Sequence, residues 1–213
     1  MKNKFVPFVY QRIRENGIGL LNLDYFAVTL QNGERSTEEI FEEFRKNLSA
    51  IIFAGRNQRV YPLDSRNRDL WESDKPLGAI LVFDLFNIGS ANLDRGAVVV
   101  SCMSSQDFIL STITISGFSI GSHPVSGNRA FGAFQNKDGS TTIYVKAADR
   151  IARDVNFSSP SFAGITPRSV PAWRNYILKQ GDAVWRHMQL NLVRRFRDLE
   201  AKSLPPVTKR IEY

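Results

Sequence analysis

The chain has 213 residues and carries 28 Lys+Arg against 21 Asp+Glu, a formal net charge of +7. Its 43% apolar and 23% charged content excludes global disorder and fibrous classes, and the length suffices for a core without staples. The single cysteine, Cys102, excludes an internal disulfide and a multi-cysteine zinc site, and no apolar run approaches the ~18 residues of a membrane-spanning helix.

Residues 1–23 read as a basic, partly apolar arm. Lys2 and Lys4 precede an apolar patch, Phe5 to Tyr10, that contains Pro7 and is shorter than the roughly 7–15 residues of a secretory segment. A cytoplasmic product is therefore expected, with export by a machine that reads no such signal left open. Asp24 to Gln31 predicts a strand, and Asn32-Gly33 a turn. Ser36 and Glu39 have the spacing of a capping box, and Ile40, Phe41, Phe44, Leu48 and Ile51 place one apolar face on a helix that ends near Gly55.

Residues 56–76 are polar and predict irregular chain with a short strand at Val60 to Leu63. Five strands follow: 78–86, 97–105, 108–116, 129–135 and 140–148. The breaks between them are turn chemistry, Lys137-Asp138-Gly139 above all, and connections this short require antiparallel pairing. Residues 151–169 form a Ser/Pro-rich loop. Ser169 and Pro171 then start a helix that runs to about residue 200. Trp173, Ile177 and Leu178 open its apolar stripe, and Trp185, Met188, Leu192, Phe196 and Leu199 continue it past a kink or break at Gly181. Pro205-Pro206 marks 203–213 as a tail. The expected organisation is one α+β domain over 24–202, a curved antiparallel sheet gripping the last helix.

This order of elements resembles the helix-grip, or START-like, fold. More narrowly, Gly121-Ser122-His123-Pro124 followed by Gly127, Asn128, Arg129, Ala130 and Phe131 resembles a Gly-His-Pro-x-x-Gly turn in a poorly characterised family of bacterial and plant proteins. Here Ser122 separates the first Gly from His. That family brings no established chemistry. The wider fold implies an apolar cavity between sheet and long helix, used by many relatives for lipids or other hydrophobic small molecules. The wall residues expected on that basis are Phe83, Leu85, Val99, Ile113, Ile143, Val145, Trp185 and Met188.

The chemistry-bearing residues are few. His123 precedes Pro124 and so has an extended backbone; it either ties its turn together or acts as a general base. His187 reads as a flank of the last helix. Two histidines and one cysteine make no histidine-rich metal site, and no cofactor is called for. Cys102, after three valines, reads as an inert core thiol. No phosphate loop or nucleophile elbow occurs. Asp84 is the one charge in an apolar strand, and if buried it needs a cation, for which Arg129 and Arg150 are the candidates. Residues 171–202 hold +4 of the +7, with Arg194, Arg195 and Arg197 around Phe196.

Three functions follow. The first is a binding module for an apolar small molecule or lipid. The second is a basic interaction or effector (payload) protein without a ligand, meeting an acidic protein or anionic surface through Arg194, Arg195 and Arg197, with no sequence-specific nucleic-acid binding. The third is an enzyme using the same pocket, with His123 and Asp84 or Asp149 as acid–base groups.

Overall fold

The computed structural model describes residues 6–54, 58–88, 91–116, 120, 122–153 and 171–213, without the side chains of 85–88, 91–94, 171–174 and 176. Leu85, Gly121, Ser169 and Trp173 thus lie outside the described residues or side chains.

Strand β1 (Phe8–Tyr10) and a single helical turn, α1 (Ile13–Asn16), lead into the long strand β2 (Gly17–Leu30). Helices α2 (Thr37–Lys46) and α3 (Leu48–Phe53), strand β3 (Val60–Pro62) and helix α4 (Ser65–Glu72) follow. A meander of β4 (Ile80–Ile88), β5 (Ala91–Met103), β6 (Asp107–Ile115), β7 (Val125–Gln135) and β8 (Thr141–Ala152) then precedes helix α5 (Pro171–Arg195). Two short strands, β9 (Lys202–Ser203) and β10 (Val207–Ile211), end the chain.

The strands form one sheet in the order β10-β2-β8-β7-β6-β5-β4-β3, with β1 added to β6 and β9 to β2. Every ladder among the described residues is antiparallel. With α5 packed against it, this is the α+β architecture of an antiparallel sheet and a long C-terminal helix that the order of elements predicts.

Four sequence expectations need correction. The supposed arm is structural: β1 and the first half of β2 belong to the sheet, and Gly19, at φ 74, makes a bulge between Ile18 and Asn22 that hides the alternation there. The supposed tail is also structural, since Val207 to Ile211 pair with Tyr25 to Leu21. The stretch predicted irregular contains α4, whose first turn is capped by the Asp64 carboxylate accepting from the Asn67 N–H at 2.8 Å. Its polar composition disguises it, because among its residues only Asn67 and Trp71 are buried. Finally, α5 runs through Gly181 as one helix without the expected break and ends at Arg195, with a 3-10 turn at Arg197–Leu199 in place of its expected last turn.

The core lies between the helices and the inward face of the sheet. Strand alternation sends Phe26, Val28 and Leu30 of β2, Phe131 of β7 and Val145 and Ile143 of β8 to that face. Phe41 and Phe44 of α2, Trp185, Met188 and Leu192 of α5, and Phe196 just past its end close over it. The capping box at Ser36 and Glu39 is formed, and Asn47 divides the expected single helix into α2 and α3. A second cluster, Ile80, Ala97, Val99, Ile113 and Ile115, lies on the outward face beneath Val6, Phe8, Leu63 and Ile120.

Candidate functional site

Along β2 the inward positions change character. Leu30, Val28 and Phe26 are apolar, while Asp24 and Asn22, at the same alternation, are buried polar residues. On β8 Ile143 and Val145 give way to Asp149, and on β7 Phe131 gives way to Arg129. These polar groups meet at one end of a cavity of about 120 Å³ between the sheet and α5. The rest of its wall is apolar, with Phe83, Val98, Leu110 and Phe131 from the sheet and Leu178 and Trp185 from the helix.

Arg129 organises the polar end. Its guanidinium donates to both carboxylate oxygens of Asp24 at 2.7 Å and more weakly to Asp149 at 3.3 Å. It also stacks on Trp185, 4.1 Å from the ring centroid. The Asn22 amide donates at 3.2 Å to Asp24 and to Asp149. Asp149 sits opposite Gly127 in the β7–β8 ladder, and a Cβ at Gly127 would come within 2.8 Å of the Asp149 Cβ. Glycine therefore makes the room in which this carboxyl stands. Burial pushes the Asp149 pKa up to about 6; the Asp24 charge adds to the rise, and Arg129 and Asn22 oppose it. At the helix side Asp182 pairs with Arg210 at 2.7 Å, and Arg210 Nε donates to the Asn22 side-chain Oδ1 at 3.2 Å.

His123 closes the floor next to Arg129. The Gln11 side chain clamps its backbone from both sides, donating to the His123 carbonyl at 3.0 Å and accepting from its N–H at 2.8 Å. The imidazole Nδ1 lies 3.1 Å from the Val125 carbonyl oxygen and 3.3 Å from the Val125 N–H. Its ring lies over Gly96, where a Cβ would come within 2.7 Å of the His123 Cγ. Burial depresses the His123 pKa to about 4, the Val125 hydrogen bond opposes this, and Arg129 adds to it.

The expected wall residues separate into groups. Phe83 and Trp185 line the cavity, while Ile143, Val145 and Met188 belong to the filled part of the same core. Val99 and Ile113 lie on the outward face. The parity of their strands was unreadable because both faces of the sheet are apolar there. Asp84 is buried, but on the opposite face of β4 from Phe83. Its partners are Arg59 and Arg95, each at 3.1 Å, in place of the expected Arg129 and Arg150. Arg95 is its cross-strand neighbour, whereas Arg129 is held by Asp24 and Arg150 donates to the Gly19 carbonyl.

Cys102 is exposed, because a bulge between Val100 and Cys102 turns it out of the core. His187 bonds the Ala54 carbonyl at 2.9 Å and so ties α5 to the end of α3. Arg195 pairs with Glu43, while Arg194 and Arg197 are exposed. Asn22 and Asp24 were missed as site residues; continuing the period of Phe26, Val28 and Leu30 backward by two and four positions would have found them. Among the described residues no helix is long and apolar enough to cross a membrane, and no group of three or more His, Cys, Asp and Glu side chains could hold a metal ion.

No family model matches the chain, and no curated protein matches it. Among solved structures, it is similar to a START superfamily protein from Mycobacterium smegmatis at 12% identity and a TM-score of 0.48, over 84% of this chain and 99% of that one. A conserved protein from Geobacillus kaustophilus is similar at 12% identity and a TM-score of 0.40, over 82% and 96% of the respective chains. Norcoclaurine synthase from Thalictrum flavum is similar at 11% identity and a TM-score of 0.41, over 84% and 99%.

Proposed function

We propose that the protein is a binding module for a small apolar molecule held between the sheet and α5. The observation that carries this reading is the cavity itself, walled by aromatic and aliphatic side chains and ended by convergent polar groups. Its volume of about 120 Å³ limits the occupant. Drug-sized ligands take roughly 300–1,000 Å³. An engineered apolar cavity of about 150 Å³ takes benzene. A single ring or a short aliphatic chain fits this space, and a whole lipid does not.

Titration calorimetry with ethylbenzene tests the reading. Saturable binding at one site per chain is expected, and Val184→Trp, which pushes an indole into the cavity from the helix side, should abolish it. Binding that survives this filling, or no binding by the unmodified protein, overturns the reading.

A further inference from the structure

Among the described residues, four charged side chains line the polar end of the cavity and a fifth, Arg210, stands behind Asp182; four of the five form close pairs. Arg129 of β7 is held by Asp24 of β2 through two short hydrogen bonds, and Asp182 of α5 is held by Arg210 of β10. The remaining one, Asp149 of β8, shares Arg129 with Asp24 at the longer distance of 3.3 Å and has no other cation in ion-pair distance among the described residues. It receives only the long contacts from Arg129 and Asn22, 3.3 and 3.2 Å, against the 2.7 Å bonds that satisfy Asp24. Its other titratable neighbour at the floor, His123, is buried and neutral, with its pKa depressed to about 4. An ionised carboxylate offers about four acceptor sites, so Asp149 has capacity to spare on the cavity side. Gly127 keeps this position clear.

We propose that the cavity takes a small organic ammonium ion, with a ring or short chain among Phe83, Leu110, Phe131 and Trp185 and its N–H donors on the Asp149 carboxylate. This rests on the proposed binding function and adds the chemical class of the ligand. The ammonium adds a second positive charge to the buried group of Asp24, Asp149 and Arg129, two carboxylates that share one guanidinium among the described residues. The guanidinium of Arg129 is already engaged by Asp24 and Trp185, which makes it a poor anchor for a ligand anion. Ligand binding requires Asp149 to be ionised. With its pKa at about 6, Asp149 is mostly ionised at pH 7.5 and mostly protonated at pH 5.

Benzylamine, ethylbenzene and benzoate are compared by titration calorimetry on the full chain. Benzylamine affinity should fall roughly tenfold from pH 7.5 to pH 5, one pH unit below the carboxyl pKa, while ethylbenzene affinity should change little. Asp149→Asn should weaken benzylamine by roughly 10–100-fold, the range of a charge-assisted hydrogen bond, and remove the pH dependence, with ethylbenzene affinity retained. If ethylbenzene binds but benzylamine shows neither the pH dependence nor the loss in Asp149→Asn, the amine assignment falls and the binding function stands. If benzoate binds more tightly than benzylamine, Arg129 is the anchor and the assignment falls. If none of the three binds, both fall. The pH profile of the unmodified protein decides the matter even if Asp149→Asn fails to fold.

Discussion

The inward face of β2, β7 and β8 has two ends built on opposite principles. At one end Phe131 stacks on Phe108 with centroids 5.0 Å apart, and Phe41 and Phe44 of α2 complete an aromatic cluster. Two positions along each strand, the same face turns to Arg129 and Asp24, and a cavity opens. The filled end gains free energy from burial. The polar end loses it to desolvation, because buried charges recover that cost only through good pairing. The strands are continuous across both, so the aromatic end fixes the backbone that holds the charged end in place. Packing and the proposed recognition are thus separated along the strands rather than between domains.

The largest test of this division sets Phe131→Ala against Arg129→Met. Phe131 is fully buried, and its truncation should cost about 3–5 kcal/mol, as large aromatic losses in cores do. Arg129→Met leaves Asp24 and Asp149 buried without their shared cation and should also cost about 3–5 kcal/mol at pH 7.5. The two losses differ in pH dependence. Without Arg129, which holds the Asp149 pKa down, the folded-state pKa of Asp149 rises further, which favours its protonated form in the native state. Stability is then recovered as pH falls through the raised Asp149 value. Urea melts at pH 7.5 and pH 5 should show the Arg129→Met deficit shrinking while the Phe131→Ala deficit holds. Equal behaviour would mean that both residues act only as packing.

The filled end was far more legible in the sequence than the polar end. The step from Trp185 through Met188, Leu192 and Phe196 to Leu199 reads directly as the buried stripe of α5 and the 3-10 turn after it, and all five are buried. Phe26, Val28 and Leu30 read equally well, because on β2 only one face is continuously apolar. Val98, Val99 and Val100 could not be sorted, since the outward face there is covered by Val6 and Phe8. The polar end was hidden for another reason. Its ion pair joins residues 105 positions apart, Asp24 and Arg129, and no local pattern records such a contact. Arg129 was expected only as a partner for Asp84, and so was matched to the wrong acid, while Asp149 was named as an acid–base candidate without a partner.

A smaller effect separates His123 from Asp149 within the polar end. His123 titrates at about 4 in the folded state against 6.5 ordinarily, so between these values the unfolded chain binds more protons and stability falls as pH falls from about 6.5 to 4. Asp149 titrates at about 6 against 3.8, so the folded state binds more protons between these values and stability rises as pH falls from about 6 to 4. The two contributions oppose each other over nearly the same window. His123→Asn should cost about 1–3 kcal/mol at pH 7.5 through the broken Val125 contact. It should also unmask the Asp149 slope, so that stability rises as pH is lowered from 6 to 4. Asp149→Asn should unmask the reverse slope. Denaturant midpoints across this range check both, and parallel profiles in the two variants would show that the groups do not titrate against each other.

The smallest effect concerns Gly181, which lines the cavity in the middle of α5. Glycine inside a helix costs roughly 0.5–1 kcal/mol relative to alanine, through the backbone entropy lost on folding. A Cβ built at Gly181 meets nothing within 4 Å, and the residue is not among those with positive φ. No steric or conformational reason therefore opposes a side chain there. Gly181→Ala should raise stability by roughly 0.5–1 kcal/mol in a thermal melt. A loss of stability would mean that α5 needs a bend at this point, as the sequence alone suggested. A gain in stability accompanied by weaker ethylbenzene binding would show that the glycine is kept for the space it leaves at the cavity wall. That outcome would place Gly181 with Gly127 on the recognition side of the molecule, where room matters more than helix propensity.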